Sequence, residues 1–251
     1  QLAELLQHMA GVEFPVEKVI ASPREYGYRS KITPHFPAPQ DGRIGAIGFL
    51  EAGSRTRIQD VPRCEIAMPE INERLATLRE EIFRTGPERY KRGATLLLRA
   101  AGGRVITDNR EIAIEEVDGI RFEFQAGDFF QNNPFILPAF VRHVAAEASR
   151  SGATHLVDAY CGSGLFALGC AQHFEEVTGI EISAAAVAKA AHNAELNGLD
   201  HCKFIAGSAE QIFAGIEYPG EESSVIVDPP RAGCGEDFLR QLFEFGPATV
   251  V

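Results

Sequence analysis

Three apolar segments of this 251-residue chain end in an acidic residue followed by a turn. Leu156-Val157 runs into Asp158, then Ala159-Tyr160-Cys161-Gly162-Ser163-Gly164. Glu176 to Ile180 runs into Glu181. Ser224-Val225-Ile226-Val227 runs into Asp228-Pro229-Pro230-Arg231-Ala232-Gly233. In an open parallel sheet the carboxyl ends of the strands border one crevice, so acids at three such ends would share a ligand. Gly162 and Gly164 can adopt positive φ and let a ligand approach the backbone, and the helix that follows offers free N–H groups.

Glu181 lies 23 residues after Asp158, where a carboxylate can accept from both ribose hydroxyls of a nucleoside cofactor. Gly162-x-Gly164-x-x-Ala167 also fits a dinucleotide pattern, so a nicotinamide oxidoreductase stays open. Asp158 would repel a pyrophosphate but suits the ammonium of a methionine-like tail. The glycines also start four residues beyond that acid. Both features favour S-adenosylmethionine. In the third turn two prolines remove backbone donors and hold Asp228 at the sheet edge. Amine-directed nucleic-acid methyltransferases usually carry an aromatic residue after such prolines. Arg231 stands here, which argues against an exocyclic-amine target.

The elements that must position these residues follow from periodicity. From Pro134 onward helices and strands alternate: helix to Ser149, strand Thr154–Asp158, helix Leu165–Phe174, strand Glu176–Glu181, helix Ala184–Asn197, strand Cys202–Ile205, a short helix near Ala209–Phe213, strand Ser224–Asp228, helix Glu236–Phe245 and a strand from Ala248. That pattern predicts a doubly wound, mostly parallel, Rossmann-like sheet. The first half predicts a smaller α+β unit. It holds a helix-like start at Leu2–Met9, short strands over 27–32 and 46–49, a helix over Pro69–Arg84, a hairpin around Gly102-Gly103 and a strand over Ile120–Phe124. The expected domains are 1–122 and 123–251, the second carrying the cofactor turn.

Net charge is −11, unevenly spread: residues 1–125 hold 18 Lys and Arg against 19 Asp and Glu, and residues 126–251 hold 6 against 16. A nucleic-acid surface therefore belongs on the first half, where Arg24–Arg63 has seven basic and four acidic residues. A solvated basic face is the plainer alternative. Five irregularly spaced cysteines give neither a disulfide framework nor a complete metal site. No apolar run approaches the ~20 residues that cross a bilayer, and a soluble, cytoplasmic protein without a membrane partner is expected.

Phe129-Phe130-Gln131-Asn132-Asn133, the glycine turn and Asp228-Pro229-Pro230-Arg231-Ala232-Gly233, in this order and spacing, resemble the RNA uracil-5 methyltransferase family. Ser22-Pro23, Tyr26-Gly27-Tyr28-Arg29, Ile47-Gly48-Phe49 and Cys64 are similar to its central region. Lys31 to Phe36 and the tyrosine in the turn look closest to the fungal tRNA-directed branch that methylates the T-loop uridine; ribosomal RNA is the other substrate the family allows. The resemblance implies S-adenosylmethionine as cofactor, RNA as partner, and no metal. It places Gln131 against cofactor and target base, Tyr160, Gly162 and Gly164 in the cofactor turn, Glu181 on the ribose, and Asp228 between cofactor and uracil. Ser208 replaces a residue expected near the adenine, and Leu165 stands where some members carry asparagine. Cys64 matches a ligand of an iron–sulfur cluster in one branch, but its partner cysteines are not in this chain, so no cluster is expected.

The family's chemistry is covalent: a Cys thiolate adds to C6 of an extruded uracil, C5 takes the methyl, and a base removes the C5 proton. The nucleophile follows the strand after the Asp-Pro-Pro-Arg turn. The sequence ends inside that strand, so nucleophile and base are expected beyond Val251, with Cys234 as the fallback. The seven-stranded sheet of such enzymes would then be incomplete, with five strands counted. A non-catalytic RNA-binding module is the remaining alternative.

Overall fold

The computed structural model describes residues 1–207, 212–213 and 215–251. The short helix expected near Ala209 falls mostly outside them, as does Ser208. The chain opens with one turn of helix, α1 (Leu2–Leu5), that runs into a wider π-type turn (Leu6–Ala10). Then come β1 (Lys31–Ile32), β2 (His35–Phe36), β3 (Gly48–Leu50), β4 (Ile58–Asp60), α2 (Pro69–Arg89), β5 (Ala94–Thr95), β6 (Leu98–Ala101), β7 (Arg104–Ile106), β8 (Ile112–Val117) and β9 (Ile120–Gln125). The alternating half follows: α3 (Leu137–Ser149), β10 (His155–Asp158), α4 (Leu165–Cys170), β11 (Glu176–Glu181), α5 (Ala184–Leu196), β12 (Cys202–Ala206), β13 (Ser223–Ile226), α6 (Glu236–Phe245) and β14 (Thr249–Val250).

The second half forms a five-stranded sheet in the order β12-β11-β10-β13-β14, every pair parallel. This is the doubly wound, Rossmann-like arrangement. β10 is central, and the order reverses beside it, so its carboxyl end opens the crevice. Side chains alternate between two cores. Leu156, Val177 and Ile226 pack with α3 and α4. Val157, Ile180 and Val225 pack with Phe238 and Leu242 of α6. Gly179 in β11 allows close approach: a Cβ there would stand 2.5 Å from the Phe204 ring and 2.9 Å from Cys161 Sγ.

The first half is antiparallel, in three small sheets: β1-β6-β7, β4-β3-β2-β5 and the hairpin β8-β9. Helix α2 covers the first two with Ile71, Leu75, Arg79 and Ile82, one face of a 3.6-residue repeat. It runs five residues beyond the Arg84 end expected from periodicity and takes Pro87 into its last turn. Buried Arg79 anchors it, donating to Ile47 O at 2.6 Å and to both Asp60 oxygens at 2.9 Å. Helix α3 starts at Leu137, later than expected, because Asn133 Oδ1 accepts the Phe135 N–H and turns the chain first. The strand expected over Ile120–Phe124 is half of a hairpin closed by Asp118-Gly119, both at positive φ.

The hairpin joins the two halves. Phe122 and Phe124 share the core with Phe130, Leu137 and Phe166. Asn193 of α5 and Asn197, which caps its C-terminus, accept the Glu123 and Arg121 N–H groups, so a helix covers the open edge of β9. No helix among the described residues is long and apolar enough to cross a membrane. Replacing Gly179 by alanine forces a Cβ into Phe204 and Cys161. We expect Gly179→Ala to lose roughly 1–3 kcal/mol in urea unfolding, and an unchanged midpoint would show that the turn yields without cost.

Candidate active site

A cavity of about 910 Å³ opens at the carboxyl edge of β10, β11 and β13. It is lined by the sheet edge with Tyr160, Gly162, Glu181 and Asp228, and also by Asp128 to Gln131, the segment after β9. Gln131, Tyr160, Gly162, Glu181 and Asp228 thus share one cavity although they come from four chain segments.

Asp158 does not. It is fully buried and does not line the cavity. The expectation that it faces the ligand is corrected. Its Oδ2 accepts the Ala167 N–H at 2.9 Å, satisfying an orphan donor in the first turn of α4. The side chain turns under the glycine turn to cap the helix. Burial pushes its pKa up to about 7, and the neighbouring Asp228 and Glu181 charges add to the rise. Gly164 is also outside the lining: its φ of +92° starts α4, and a Cβ would press within 3.3 Å of Leu168 and Ala190.

Glu181 ties the two turns together. Oε2 accepts the Gly162 N–H at 3.3 Å and Oε1 the Ser183 N–H at 3.0 Å. A carboxylate has about four lone-pair sites, so two remain for a ligand. Gly162 has no heavy atom within 4 Å of a built Cβ, so its face is open. Tyr160 packs on Phe238 at 5.4 Å between ring centres, and burial together with Cys234 pushes its hydroxyl up to about 12. Asp228 follows β13, and desolvation holds its carboxyl above the usual range. Arg231 and Leu165 also line the cavity.

Residues the sequence did not single out line it as well, including Asp128 and Lys189. Asp128 was legible as the acid three positions before Gln131; Lys189 as the cation on the helix after Glu181. Of the five cysteines, Cys161 lines the cavity, and Cys64, Cys170, Cys202 and Cys234 do not. Cys161, Cys170 and Cys202 are buried, and burial raises each thiol, Cys170 and Cys202 to about 12. Cys64 packs on the α2 core, and its N–H is held by Asn72 Oδ1. Cys234 packs in the α6 cluster beside Tyr160.

The parallel sheet and its carboxyl-edge cavity define a Rossmann-like methyltransferase fold. Among solved structures, that of the Pyrococcus abyssi tRNA (uracil-54, C5)-methyltransferase in complex with S-adenosyl-L-homocysteine superposes with a TM-score of 0.75 at 21% identity, over 99% of this chain and 70% of that one. The tRNA (uracil-5-)-methyltransferase family profile matches residues 88–247, and the chain belongs to that family. It is 41% identical to the tRNA (uracil(54)-C(5))-methyltransferase of Schizosaccharomyces pombe and 35% identical to that of Saccharomyces cerevisiae, in each case over 94% of this chain and 47% of the relative. The chain spans about half the length of these curated relatives.

The folded-state pKa of Asp158 lies above the ordinary 3.8. Between about 4 and 7 the folded chain therefore holds a proton that the unfolded chain has released, and this contribution to stability falls as pH rises through that window. Asp158→Asn removes the titration and keeps an acceptor for Ala167. Relative to the parent chain, the variant should gain most at pH 8 and least at pH 4, and the two should differ by roughly 2–4 kcal/mol in denaturant unfolding followed by circular dichroism. The same offset at both pH values would exclude a raised Asp158.

Proposed function

We propose that the cavity binds S-adenosylmethionine and receives a uracil extruded from RNA, and that the whole protein methylates C5 of a uridine, in tRNA ahead of ribosomal RNA. The observation that carries this reading is the meeting of Gln131, Glu181 and Asp228 around one cavity with the open face of Gly162. The names of the two fungal relatives and the S-adenosyl-L-homocysteine complex of the Pyrococcus protein support it. The cavity volume lies within the range of small-molecule sites.

When bound, S-adenosylmethionine supplies an electrophilic methyl on a sulfonium. Glu181 would hold the ribose hydroxyls with its two free lone-pair sites. Gln131 carries both a donor and two acceptor sites and so serves two ligands at once. Asp228 stands on a turn stiffened by Pro229 and Pro230, and it offers an acceptor to a pyrimidine N–H. On the RNA side, Arg24 lies 3.7 Å over the Phe135 ring, which brings the basic stretch up to the segment that carries Gln131.

The covalent chemistry implied by the resemblance needs a thiolate. Burial raises Cys161, Cys170 and Cys202, and neither Cys64 nor Cys234 lines the cavity. This reading therefore gives the 251 residues cofactor and uracil binding and assigns the nucleophile to none of these five cysteines.

Calorimetric titration of this chain with S-adenosylmethionine, S-adenosylhomocysteine and NAD tests the cofactor. Glu181→Ala should weaken S-adenosylhomocysteine binding about 10- to 100-fold, the loss expected for charged hydrogen bonds. NAD binding with no binding of S-adenosylmethionine would overturn the assignment. In the whole protein, labelled methyl should appear on C5 of uridine by mass spectrometry, and a methyl on an exocyclic amine would overturn the proposed target.

A further inference from the structure

Two cations sit side by side in the first half of the chain, where packing alone gives no reason for them. Lys31 and Arg99 are register partners across β1 and β6. Like charges directly opposite each other destabilise a sheet. Arg99 is fully buried and Lys31 half-buried. Burial, and the charge of its partner, hold the Lys31 ammonium below its usual range. Burial also brings Arg99 down to about 10, against the opposing pull of Glu115 and Asp128. Two apolar residues here would cost the fold less.

What the pair does is grip a turn. Arg99 Nε donates to Ala126 O and Nη2 to Asp128 O, both at 2.8 Å. Lys31 Nζ donates to Gly127 O at 2.6 Å and to Asp128 O at 3.0 Å. Three successive carbonyls are held by two side chains. The neighbouring Ser30 donates its N–H and Oγ–H to Asn132 O at 2.8 and 3.2 Å. Between these anchors lie Asp128, Phe129 and Gln131, which line the cavity with Glu181 and Asp228. The Arg99 guanidinium also stands 5.0 Å from the Phe124 ring, and Phe124 stacks on Phe130 at 4.3 Å. Gly127 fits under Asn109 only because it has no Cβ.

We propose that Lys31 and Arg99 are positioning residues for the cavity: they hold the Ala126–Asp128 turn so that Gln131 and Asp128 stand at a fixed distance from the sheet edge. The proposal rests on the reading of the cavity as a nucleoside-cofactor site and adds to it a determinant 32 residues upstream of Gln131 in sequence. Arg99 cannot lose its charge at physiological pH, and its planar fork reaches two carbonyls at once. A lysine in its place has no such fork.

The test compares Arg99→Met with Arg79→Met in the full chain. Arg79 is a buried arginine of the same half that holds Asp60 and Ile47 and touches no cavity residue, so it controls for loss of stability. Arg99→Met should weaken S-adenosylhomocysteine binding about tenfold or more and speed hydrogen exchange of the 127–133 amides, with exchange in β10 and β11 unchanged. Arg99→Lys should recover part of both, and Arg79→Met should leave affinity within about twofold. Lys31→Met, at a half-exposed site, carries the same test if Arg99→Met does not fold. Equal affinities for Arg99→Met and Arg79→Met would overturn the proposal. If the parent chain binds no S-adenosylhomocysteine, the cofactor reading fails, and unchanged exchange at 127–133 would then sink the positioning role separately.

Discussion

The cavity depends on a carboxylate that never reaches it. Asp158 ends the central strand in complete burial, with Oδ1 lacking a partner among the described residues and Oδ2 closing the first turn of α4. Removing a carboxyl from water costs several kcal/mol unless it is paired or takes up a proton, and here the pKa rises. That cost fixes the path of the glycine turn: with Ala167 capped from below, Gly162 faces outward and its N–H meets Glu181. Glu181 in turn holds Ser183 at the start of α5. One buried acid therefore sets the orientation of two turns and, through them, of the exposed acid that a ligand would meet.

The rest of the lining is fixed by different means. The Asp128–Gln131 segment belongs to no regular element, so neither a helix nor a sheet ladder supports it. Its Asp128 carbonyl is taken by the side chains of Lys31 and Arg99, the Asn132 carbonyl just after it by Ser30, and its aromatic residue Phe130 is locked among Phe122 and Phe124. Asn193 links the walls: its Oδ1 accepts the Glu123 N–H in the hairpin, and its Nδ2 donates to Ser163 O in the glycine turn. The cavity is the space between a parallel sheet edge and a loop held by antiparallel strands. Its width is a property of both halves of the chain.

How much of this was legible depends on whether the signal is local. Strands ending at Glu181 and helices such as Glu236–Phe245 follow from periodicity and glycine punctuation, and the structure places them at those residues. Glu181 and Asp228 were legible together because a parallel sheet brings strand ends together whatever the details of packing, whereas Gln131 was reached only through the resemblance. The direction of Asp158 was not legible: a strand-end acid can face a ligand or cap a helix, and only the position of the Ala167 N–H decides. Arg99 was hidden for a related reason. The hairpin around Gly102-Gly103 accounts for Arg99 as the last residue of a strand, but its partners are carbonyls 27 and 29 residues later. Pairing at that range leaves no mark on the periodicity.

Charge separates the two tasks proposed for the chain. The half that carries β10, β11 and β13 has 6 basic and 16 acidic residues, a field that draws a sulfonium and an ammonium and repels phosphate. An RNA backbone approaching that half alone would be turned away. The basic residues before Arg63, Arg24 among them, lie in the half whose side chains grip the Gln131 segment. Phosphates held there would place a base beside the cavity while the backbone stays clear of the acidic sheet edge. The two cavity walls differ in fold rather than in sign, since Asp128 stands on the loop as Glu181 and Asp228 stand on the sheet edge, and the basic stretch reaches the Gln131 segment through Arg24, stacked on Phe135.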